Sequence, residues 1–320
     1  MPRFIGRRLL TAIPTILLTT LIVFLLRYLL PGGPVQNALG GSGGAGVVTP
    51  EALEALKERY GLDKPAATQY LDWLQGIVHG DLGRSYYSQE QVTTILGQRL
   101  GPSLVLIGGA LLLALVVGGG VGMFCAIKRD RPSGRAVLAS TGLGVSVPDF
   151  WLAAIASGFL GLYLGLFPAV GYTPVSEGLV PHLHSVTLPI LVLSLATGAF
   201  IARHLHSSMT AVLDQPYART AWAMGLAPRT VYFNWALRNA VAPVITFLPL
   251  AFAALIAATV LVEFVFNIPG LGTVIIESVL NQDYPVVQGV VLLIGILVAV
   301  LNLLADIVLA LLDPRLRRST

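Results

Sequence analysis

Charged residues and cysteine are scarce in this sequence, and each shortage excludes a class of protein. Only 11% of the 320 residues are charged, against about a quarter in soluble domains, and 55% are hydrophobic. Cys125 is the only cysteine, so no intrachain disulfide can form. The glycines follow no strict period and hydrophobicity is high, which excludes collagen-like and disordered chains. An integral membrane protein remains, in agreement with a mean hydropathy of +0.79.

Six apolar segments are long enough to cross a bilayer as helices, which requires about 20 residues each. Pro148 lies inside the third segment and should kink or break that helix, because proline removes a hydrogen bond from the helix interior. The six segments are 9–30, 102–127, 136–167, 185–206, 240–266 and 286–312. The sequence therefore predicts an all-α integral membrane protein with six transmembrane helices, forming a single transmembrane domain over 1–320.

The basic residues predict the orientation of these helices, since cytoplasmic loops collect Lys and Arg. Fourteen of them lie in the two termini and two alternate loops, against five in the remaining loops. We therefore expect both termini to be cytoplasmic and the loops 31–101, 168–184 and 267–285 to be outside. The first apolar run is longer than that of a signal peptide, and we expect it to remain as the first span.

The outer loop 31–101 contains signals for short helices rather than for a disordered connector. Thr49, Pro50 and Glu51 offer an N-cap, a proline that suits a first helical turn, and an acid at the positive end of the helix dipole. A second helix is predicted over 66–78, with Tyr70 and Trp73 on one face. This loop should form a helical cap on the extracytoplasmic surface.

The inner segment 207–239 predicts a helix, a turn and a second helix. Pro216 can begin the first helix, Gly225 can end it, and Pro228 can begin the next. Ala218, Ala221 and Gly225 fall on one face, where such small residues allow another surface to approach the backbone. The spacing is explained equally well by a helix lying on the lipid headgroups and by a docking element for a partner.

Several motifs, in order along the chain, resemble those of one transporter family. The run Tyr217-Ala-Arg-Thr-Ala-Trp-Ala-Met-Gly225-Leu resembles the cytoplasmic coupling motif of binding-protein-dependent ABC importer permeases. Nearly the whole chain is similar to the dipeptide/oligopeptide permease family, the first of its two permease types. The other matching stretches are Leu30-Pro-Gly-Gly-Pro34, Tyr60-Gly-Leu-Asp-Lys-Pro65, Gly80-Asp-Leu-Gly-Arg-Ser85, Val147-Pro-Asp-Phe-Trp151, Ile268-Pro-Gly-Leu-Gly272, Asp283-Tyr-Pro-Val-Val-Gln-Gly289 and Leu311-Leu-Asp-Pro-Arg315.

The resemblance implies a type I ABC importer permease fold in the bacterial cytoplasmic (inner) membrane. With a second related permease chain, this chain would form the path for di- or oligopeptides. ATP and Mg would be bound by two cytoplasmic ATPase domains, and an extracytoplasmic binding protein would deliver the cargo. Nickel chelates, glutathione and haem are alternative cargoes within the same family. This chain would not itself be an enzyme, since it has no G-x-x-x-x-G-K-[ST] phosphate loop.

The resemblance also implies which residues couple transport to the ATPase. They are Asp214, Tyr217, Ala218, Arg219, Thr220, Ala221, Gly225 and Leu226. Where the general coupling motif begins Glu-Ala-Ala, this chain has Arg219, Thr220 and Ala221, as in the peptide subfamily. Tyr70 and Trp73 in the outer cap are expected to anchor the binding protein, because aromatic side chains recur at interfaces.

Ionisable residues inside the apolar segments indicate where the path or its gate could lie, because they are expensive in a bilayer. Asp149 adjoins the Pro148 break and stands where the family usually has a small polar residue. Glu263 precedes the loop 267–285, whose Pro269, Gly270 and Gly272 should end the fifth span and form an outer gate. Pairing between helices explains such polar groups as well as substrate contact does.

No metal site is expected in this chain. The pairs His182 with His184 and His204 with His206 are two residues apart, which places each pair on different faces of a helix or strand. Two other classes of protein stay open at this point: an ion-coupled secondary transporter and a membrane scaffold that transports nothing. A secondary transporter usually contains internal repeats, and none is found in the six segments.

Overall fold

The computed structural model describes residues 13–25, 54, 58 and 63–312. In this part of the chain the regular structure is helical, and the only β-type pairing is an isolated bridge between Arg84 and Gln91. The predicted all-α fold is therefore confirmed. The glycine-rich stretch 39–46 and the basic C-terminus lie outside the described residues. The helix expected from Thr49 also lies outside them, except for Glu54 and Glu58, which are helical.

The helices are numbered in chain order. They are α1 (Ile13–Leu25), α2 (Ala66–Val78), α3 (Val92–Ile127), α4 (Pro132–Ser146), α5 (Asp149–Tyr163), α6 (Leu179–Leu213), α7 (Pro216–Ala223), α8 (Thr230–Phe266), α9 (Leu271–Leu280) and α10 (Tyr284–Leu312). Three of them contain π-helical stretches, over Ala114–Gly118, Ser157–Tyr163 and Thr230–Leu237. Such bulges insert a residue into the helical ladder and are frequent at functional sites.

Four helices, namely α3, α6, α8 and α10, are long and apolar enough to cross a membrane. A fifth crossing arises if α4 and α5 count as one broken span, since they meet at an angle of 92°. The break falls at Pro148, whose extended backbone (φ −61°, ψ 135°) separates the two helices. The predicted break is thus confirmed. The count of six spans stays a prediction, because the 13 described residues of α1 are fewer than a span requires. The orientation of the termini stays a prediction as well.

Helix boundaries differ from the sequence prediction at several places. Helix α3 begins at Val92, so the end of the predicted loop 31–101 is helical. Helix α6 begins at Leu179, so the end of the predicted loop 168–184 is helical. A helix begins at Pro228, as predicted, but it is not separate from the fifth span, because the backbone stays helical through Arg238 and continues into α8. The loop 267–285 contains the ten-residue helix α9, since its apolar residues find a buried face.

The chain divides into two compact units. Among the described residues, the first unit comprises 104–268 and 301–312, and the second comprises 13–25, 63–103 and 269–300. In the first unit, α6 is the central helix and contacts α3, α4 and α8. Its buried residues include Leu188, Leu193, Ile201 and Met209. An apolar stripe of this length explains why α6 remains one continuous helix although Pro189 lies inside it.

Small residues set the distance between α3 and α6 in the first unit. A Cβ added at Gly118 would lie 2.8 Å from Gly198 Cα, and one added at Gly122 would lie 2.6 Å from Ala202 O. Gly118 and Gly122 are four residues apart, as are Gly198 and Ala202. This spacing is typical of close helix pairs in membranes, where packing replaces the hydrophobic effect as the source of association.

The second unit is held together by an apolar cluster and by polar contacts, three of which involve α9, α10 and the turn between them. The cluster contains Val92, Leu96, Leu271, Val274, Val286 and Val290. The Leu271 N–H donates to Ser103 Oγ (2.8 Å), and Gln288 Nε2 donates to the Val23 carbonyl (3.2 Å). The third contact is made by Asp283, which accepts hydrogen bonds from Ser85 Oγ and from the Tyr86 N–H (2.9 Å).

Candidate translocation and coupling sites

A cavity of about 440 Å³ lies at the Pro148 break in the first unit. Its size is within the range of ligand pockets, roughly 300–1,000 Å³. Helices α6 and α8 form the opposite walls, and most of the lining is apolar. The polar and aromatic lining residues are Ser146, Asp149, Thr197, Phe200 and Phe247. The structure therefore places one ionisable group in an otherwise neutral cavity.

Asp149 is half-buried and begins helix α5. Within the described residues its carboxyl group makes no hydrogen bond or ion pair. A carboxylate in the first turn of a helix gains about 0.3–1 kcal/mol from the helix dipole. An unpaired acid at the centre of a membrane helix costs about 2.5–3.5 kcal/mol. Because the dipole offsets only part of that cost, helix capping alone does not explain an acid at this position.

Two phenylalanines form an aromatic wall of the same cavity. The ring centroids of Phe200 and Phe247 are 6.1 Å apart, and the His204 ring stacks on Phe247 at 4.4 Å. The faces of such rings carry partial negative charge and attract cations within about 6 Å. The cavity thus combines a carboxylate with aromatic surface, and no Lys or Arg is among its lining residues.

Glu263 lies elsewhere in the first unit and does not line this cavity. Its side chain is fully buried near the C-terminal end of α8. The helix ends three residues later, where Asn267 adopts a left-handed conformation (φ 52°) and the Ile268 N–H donates to the Glu263 carbonyl (2.9 Å). The structure therefore does not bring the two acids, Asp149 and Glu263, into one site.

Pro269, Gly270 and Gly272 form the start of α9 in the second unit. The Gly270 N–H donates to Thr273 Oγ1 (3.1 Å), and that hydroxyl donates back to the Gly270 carbonyl (2.9 Å). Gly270 and Gly272 are buried, and the next N–H, of Leu271, is bound to Ser103. These residues therefore make an ordered helix start, whereas the sequence suggested a loop.

The coupling motif forms α7, a short helix between the two long helices α6 and α8. Pro216 occupies the first turn, and Gly225 ends the helix with a positive φ of 72°, a conformation that favours glycine. Ala218 and Ala221 are fully buried, and Ala221 packs in a cluster with Val231 and other residues of the chain. The small-residue face is thus occupied by the chain itself and is not open to a partner.

The opposite side of α7 and the turn after it are exposed. The exposed residues are Tyr217, Arg219, Thr220, Trp222, Ala223, Met224 and Gly225, whereas Leu226 is half-buried against the cluster. Trp222 contacts Tyr232 edge to face, with centroids 5.6 Å apart. Just before α7, Asp214 accepts a hydrogen bond from Arg129 (2.9 Å), which joins the start of the motif to the end of α3.

Tyr70 and Trp73 on α2 face the first helix. Phe24 lies 5.2 Å from Tyr70 and 6.1 Å from Trp73, measured between ring centroids, and the Tyr70 hydroxyl is 2.9 Å from Thr20 Oγ1. Both aromatic residues are half-buried in these contacts. The exposed side of the helix instead carries Leu71, Gln75 and Val78, spaced along one face.

The paired histidines contact separate backbone carbonyls. His182 Nδ1 lies 2.7 Å from the Thr173 carbonyl, and His184 Nε2 lies 2.9 Å from the Leu166 carbonyl. Tyr172 packs edge to face on His182, and burial raises the pKa of its hydroxyl. These contacts hold the loop before α6 to its first turns.

Sequence reasoning did not detect three features of these sites: the Asp283 contacts, the Arg129–Asp214 pair and the aromatic wall of the cavity. Ser85 and Asp283 lie 198 positions apart, so spacing along the chain could not join them. Both nevertheless stand in stretches that resemble family motifs, which was the available signal. Phe200 and Phe247 carried no such signal in the sequence, because aromatic residues are common in membrane helices.

Long apolar helices, one of them broken beside a partly polar cavity, are those of an integral membrane protein. A family model described as the binding-protein-dependent transport system inner membrane component matches residues 118–318, and the N-terminal model of the same component matches residues 1–107. The chain belongs to this family, as the sequence motifs indicated. It is accordingly a multi-pass protein of the inner membrane.

Relatives match over nearly the full length of the chain. A putative peptide transport system permease protein of Brucella abortus (strain 2308) is 37% identical over 317 residues, or 99% of each chain. A probable peptide ABC transporter permease protein of Sinorhizobium fredii is 34% identical over 314 residues, 98% of this chain and 99% of its own. The glutathione transport system permease protein GsiC of Pectobacterium atrosepticum is 36% identical over 311 residues, 97% of each.

A solved structure supports the fold. A chain of the MetNI methionine ABC transporter in an inward-facing conformation superimposes with a TM-score of 0.57 at 18% identity. The match covers 68% of this chain and 96% of the transporter chain. At this identity the likeness shows the fold alone, which is that of an ABC importer permease.

Proposed function

We propose that this chain is the permease subunit of an ABC importer that moves peptides across the inner membrane. The observation that carries the proposal is the full-length match, at 37% identity, to a relative named for peptide transport. The cavity beside the Pro148 break supports it, since a transport path needs polar groups away from lipid. Glutathione is the second cargo, favoured by the match to GsiC at 36% identity.

The membrane topology that we propose has six spans with both termini in the cytoplasm. In this arrangement α1 is the first span, and α4 with α5 is the broken third span. The distribution of Lys and Arg supports the orientation. In this topology α7 would lie in the cytoplasm, and the helices α2 and α9 would lie outside.

The energy for transport would come from partner subunits. A second permease chain would complete the path, and two cytoplasmic ATPase subunits would bind ATP and Mg. An extracytoplasmic binding protein would deliver the cargo, and the family's description as part of a binding-protein-dependent transport system supports such a partner. Large apolar side chains on the membrane helices, such as Leu112, Leu143 and Leu162, are exposed in the single chain and would contact lipid or the second permease.

The exposed side of α7 is the surface that we assign to the ATPase subunit. Tyr217, Thr220 and Met224 lie on this side and would enter the partner, while Arg219 borders it. Ala218 and Ala221 would not touch the partner. Their buried side chains would hold α7 against the apolar cluster that contains Val231. Gly225 and Leu226 would fix the turn after the helix, and the Arg129–Asp214 pair would fix its beginning.

The outer surface would carry the seat of the binding protein and the gate. Since Tyr70 and Trp73 contact Phe24, we assign them the role of anchoring α2, and the seat itself to the exposed row that includes Leu71 and Val78. The gate would include α9 with Pro269, Gly270 and Gly272. The complete burial of Glu263 favours a supporting role over direct contact with cargo.

Co-purification and ATPase measurements test this function together. The tagged chain, expressed with its neighbouring genes, should retain a second permease and an ATPase in mild detergent. Peptide-loaded binding protein should then stimulate ATP hydrolysis by the purified complex, because cargo delivery drives the cycle. The proposal would be contradicted if the chain purified alone, or if neither peptide nor glutathione changed the ATPase rate of the complex.

A further inference from the structure

The cavity at the Pro148 break carries an uneven distribution of charge. Asp149 is its one ionisable lining residue, and the other polar lining groups are the neutral side chains of Ser146 and Thr197. In the described part of the chain the Asp149 carboxyl group has no hydrogen-bond or ion-pair partner. A carboxylate that is half-buried among neutral groups interacts more strongly with an entering ion than one in bulk water, because the effective dielectric constant near protein is lower.

The aromatic wall strengthens the same preference. Phe200 and Phe247 belong to α6 and α8 and line the cavity together with Asp149. Ring faces attract ammonium groups and repel carboxylates. The His204 ring covers one face of Phe247. The carboxylate and the remaining aromatic surface favour the same ligand, a compact cation.

We propose that Asp149 gives this cavity selectivity for a positively charged group of the cargo, namely the α-ammonium group of a peptide. The inference rests on the proposed function, since it concerns a peptide moving through this chain. A free peptide carries a cation at one end and an anion at the other. The cavity would accept the ammonium end and disfavour the carboxylate end, so the peptide would pass in one orientation.

Charge selectivity of the cavity can be measured without knowledge of the cargo. Ala254 lines the cavity and is exposed, so Ala254→Cys, in a Cys125→Ser background, provides a reporter thiol. The probes are a trimethylammonium and a sulfonate methanethiosulfonate reagent, applied to the assembled complex. Asp149→Asn should lower the ratio of cationic to anionic labelling rates at least about fivefold, and Asp149→Glu should keep it.

A second reporter serves as the matched control. Phe233 lines a different, apolar cavity of about 590 Å³ in the same unit and is exposed. In Phe233→Cys the labelling ratio should be the same with Asp149 and with Asn at that position. An unchanged ratio at position 254, or a thiol there that neither reagent labels, would overturn the proposal.

Peptide uptake then separates this inference from the proposed function. Proteoliposomes with the whole complex receive an equal mixture of free and N-acetylated peptides. For each peptide, the amount inside the vesicles is divided by the amount bound to the binding protein. The normalised preference for free peptides should fall about fivefold or more in Asp149→Asn and be retained in Asp149→Glu. Equal preference in wild type and Asp149→Asn overturns the inference alone. If the wild-type complex accumulates neither peptide in an ATP-dependent way, the proposed function is overturned. The labelling ratios at position 254 then still test the charge selectivity of the cavity.

Discussion

The contact between Gly118 and Gly198 predicts a large difference between neighbouring glycine substitutions in α3. In Gly118→Ala the new Cβ would lie 2.8 Å from Gly198 Cα, closer than real Cβ contacts allow. The obstructing atoms belong to the backbone of α6, so one helix must shift. Overpacking of this kind typically costs about 1–3 kcal/mol. Gly120→Ala is the matched control, because a Cβ there meets nothing within 4 Å.

The difference between the two variants isolates the helix contact. Replacing Gly by Ala raises helix propensity by about 0.8–1.0 kcal/mol in both variants, so this contribution to stability cancels in the comparison. We therefore expect Gly118→Ala to be less stable than Gly120→Ala by about 1–3 kcal/mol. Gly198→Ala should be tolerated far better than Gly118→Ala, since its Cβ would lie an ordinary 3.6 Å from Ala114.

Unfolding of the purified chain in detergent, followed by heat and by titration with a denaturing detergent, measures these differences. The order of stability should be Gly120→Ala first, then Gly198→Ala, then Gly118→Ala. Equal stability of Gly118→Ala and Gly120→Ala would refute the close packing of α3 on α6.

Three further predictions concern other parts of the chain. Asp283→Ala should lower stability in the same assay by about 2–3 kcal/mol, because it leaves the buried donors of Ser85 and Tyr86 without their acceptor; an unchanged melting temperature would contradict this. Gly225→Ala should lose about 1–2 kcal/mol to its positive φ, whereas Gly225→Asn, which tolerates that conformation, should lose less, as unfolding curves would reveal. Thr220→Trp on the exposed side of α7 should preserve folding yet reduce transport per ATP hydrolysed, and full coupling in this variant would argue against an ATPase contact there.

Long periodic and apolar patterns predicted most of the architecture. The break at Pro148 was predicted from one residue, because proline removes an N–H from the helix interior. Proline alone does not decide the outcome, since α6 continues through Pro189. The sequence did not predict the ends of α6, or that the helix beginning at Pro228 continues into α8, since polar and apolar residues mix in these stretches. Tertiary packing extends both helices past the apolar run. Local signals therefore located the helices better than they located the ends of the helices.

The sites were harder to predict, because a sequence pattern identifies a face but not what covers it. Ala218 and Ala221 share a face, as the spacing indicated, yet that face packs inside the chain. Tyr70 and Trp73 likewise share a face that contacts α1. In both cases the residues most suited to an interface form an internal one, and the exposed residues beside them carry the proposed contacts with partners.

Peptide accumulation in proteoliposomes is the measurement that tests the importer most directly. Vesicles would contain the complete complex or the same complex without this chain, and labelled peptide would be offered with its binding protein. We expect accumulation only when this chain and hydrolysable ATP are both present, and none with a nonhydrolysable analogue. Accumulation without ATP, driven by an ion gradient across the membrane, would contradict the account and favour a secondary transporter.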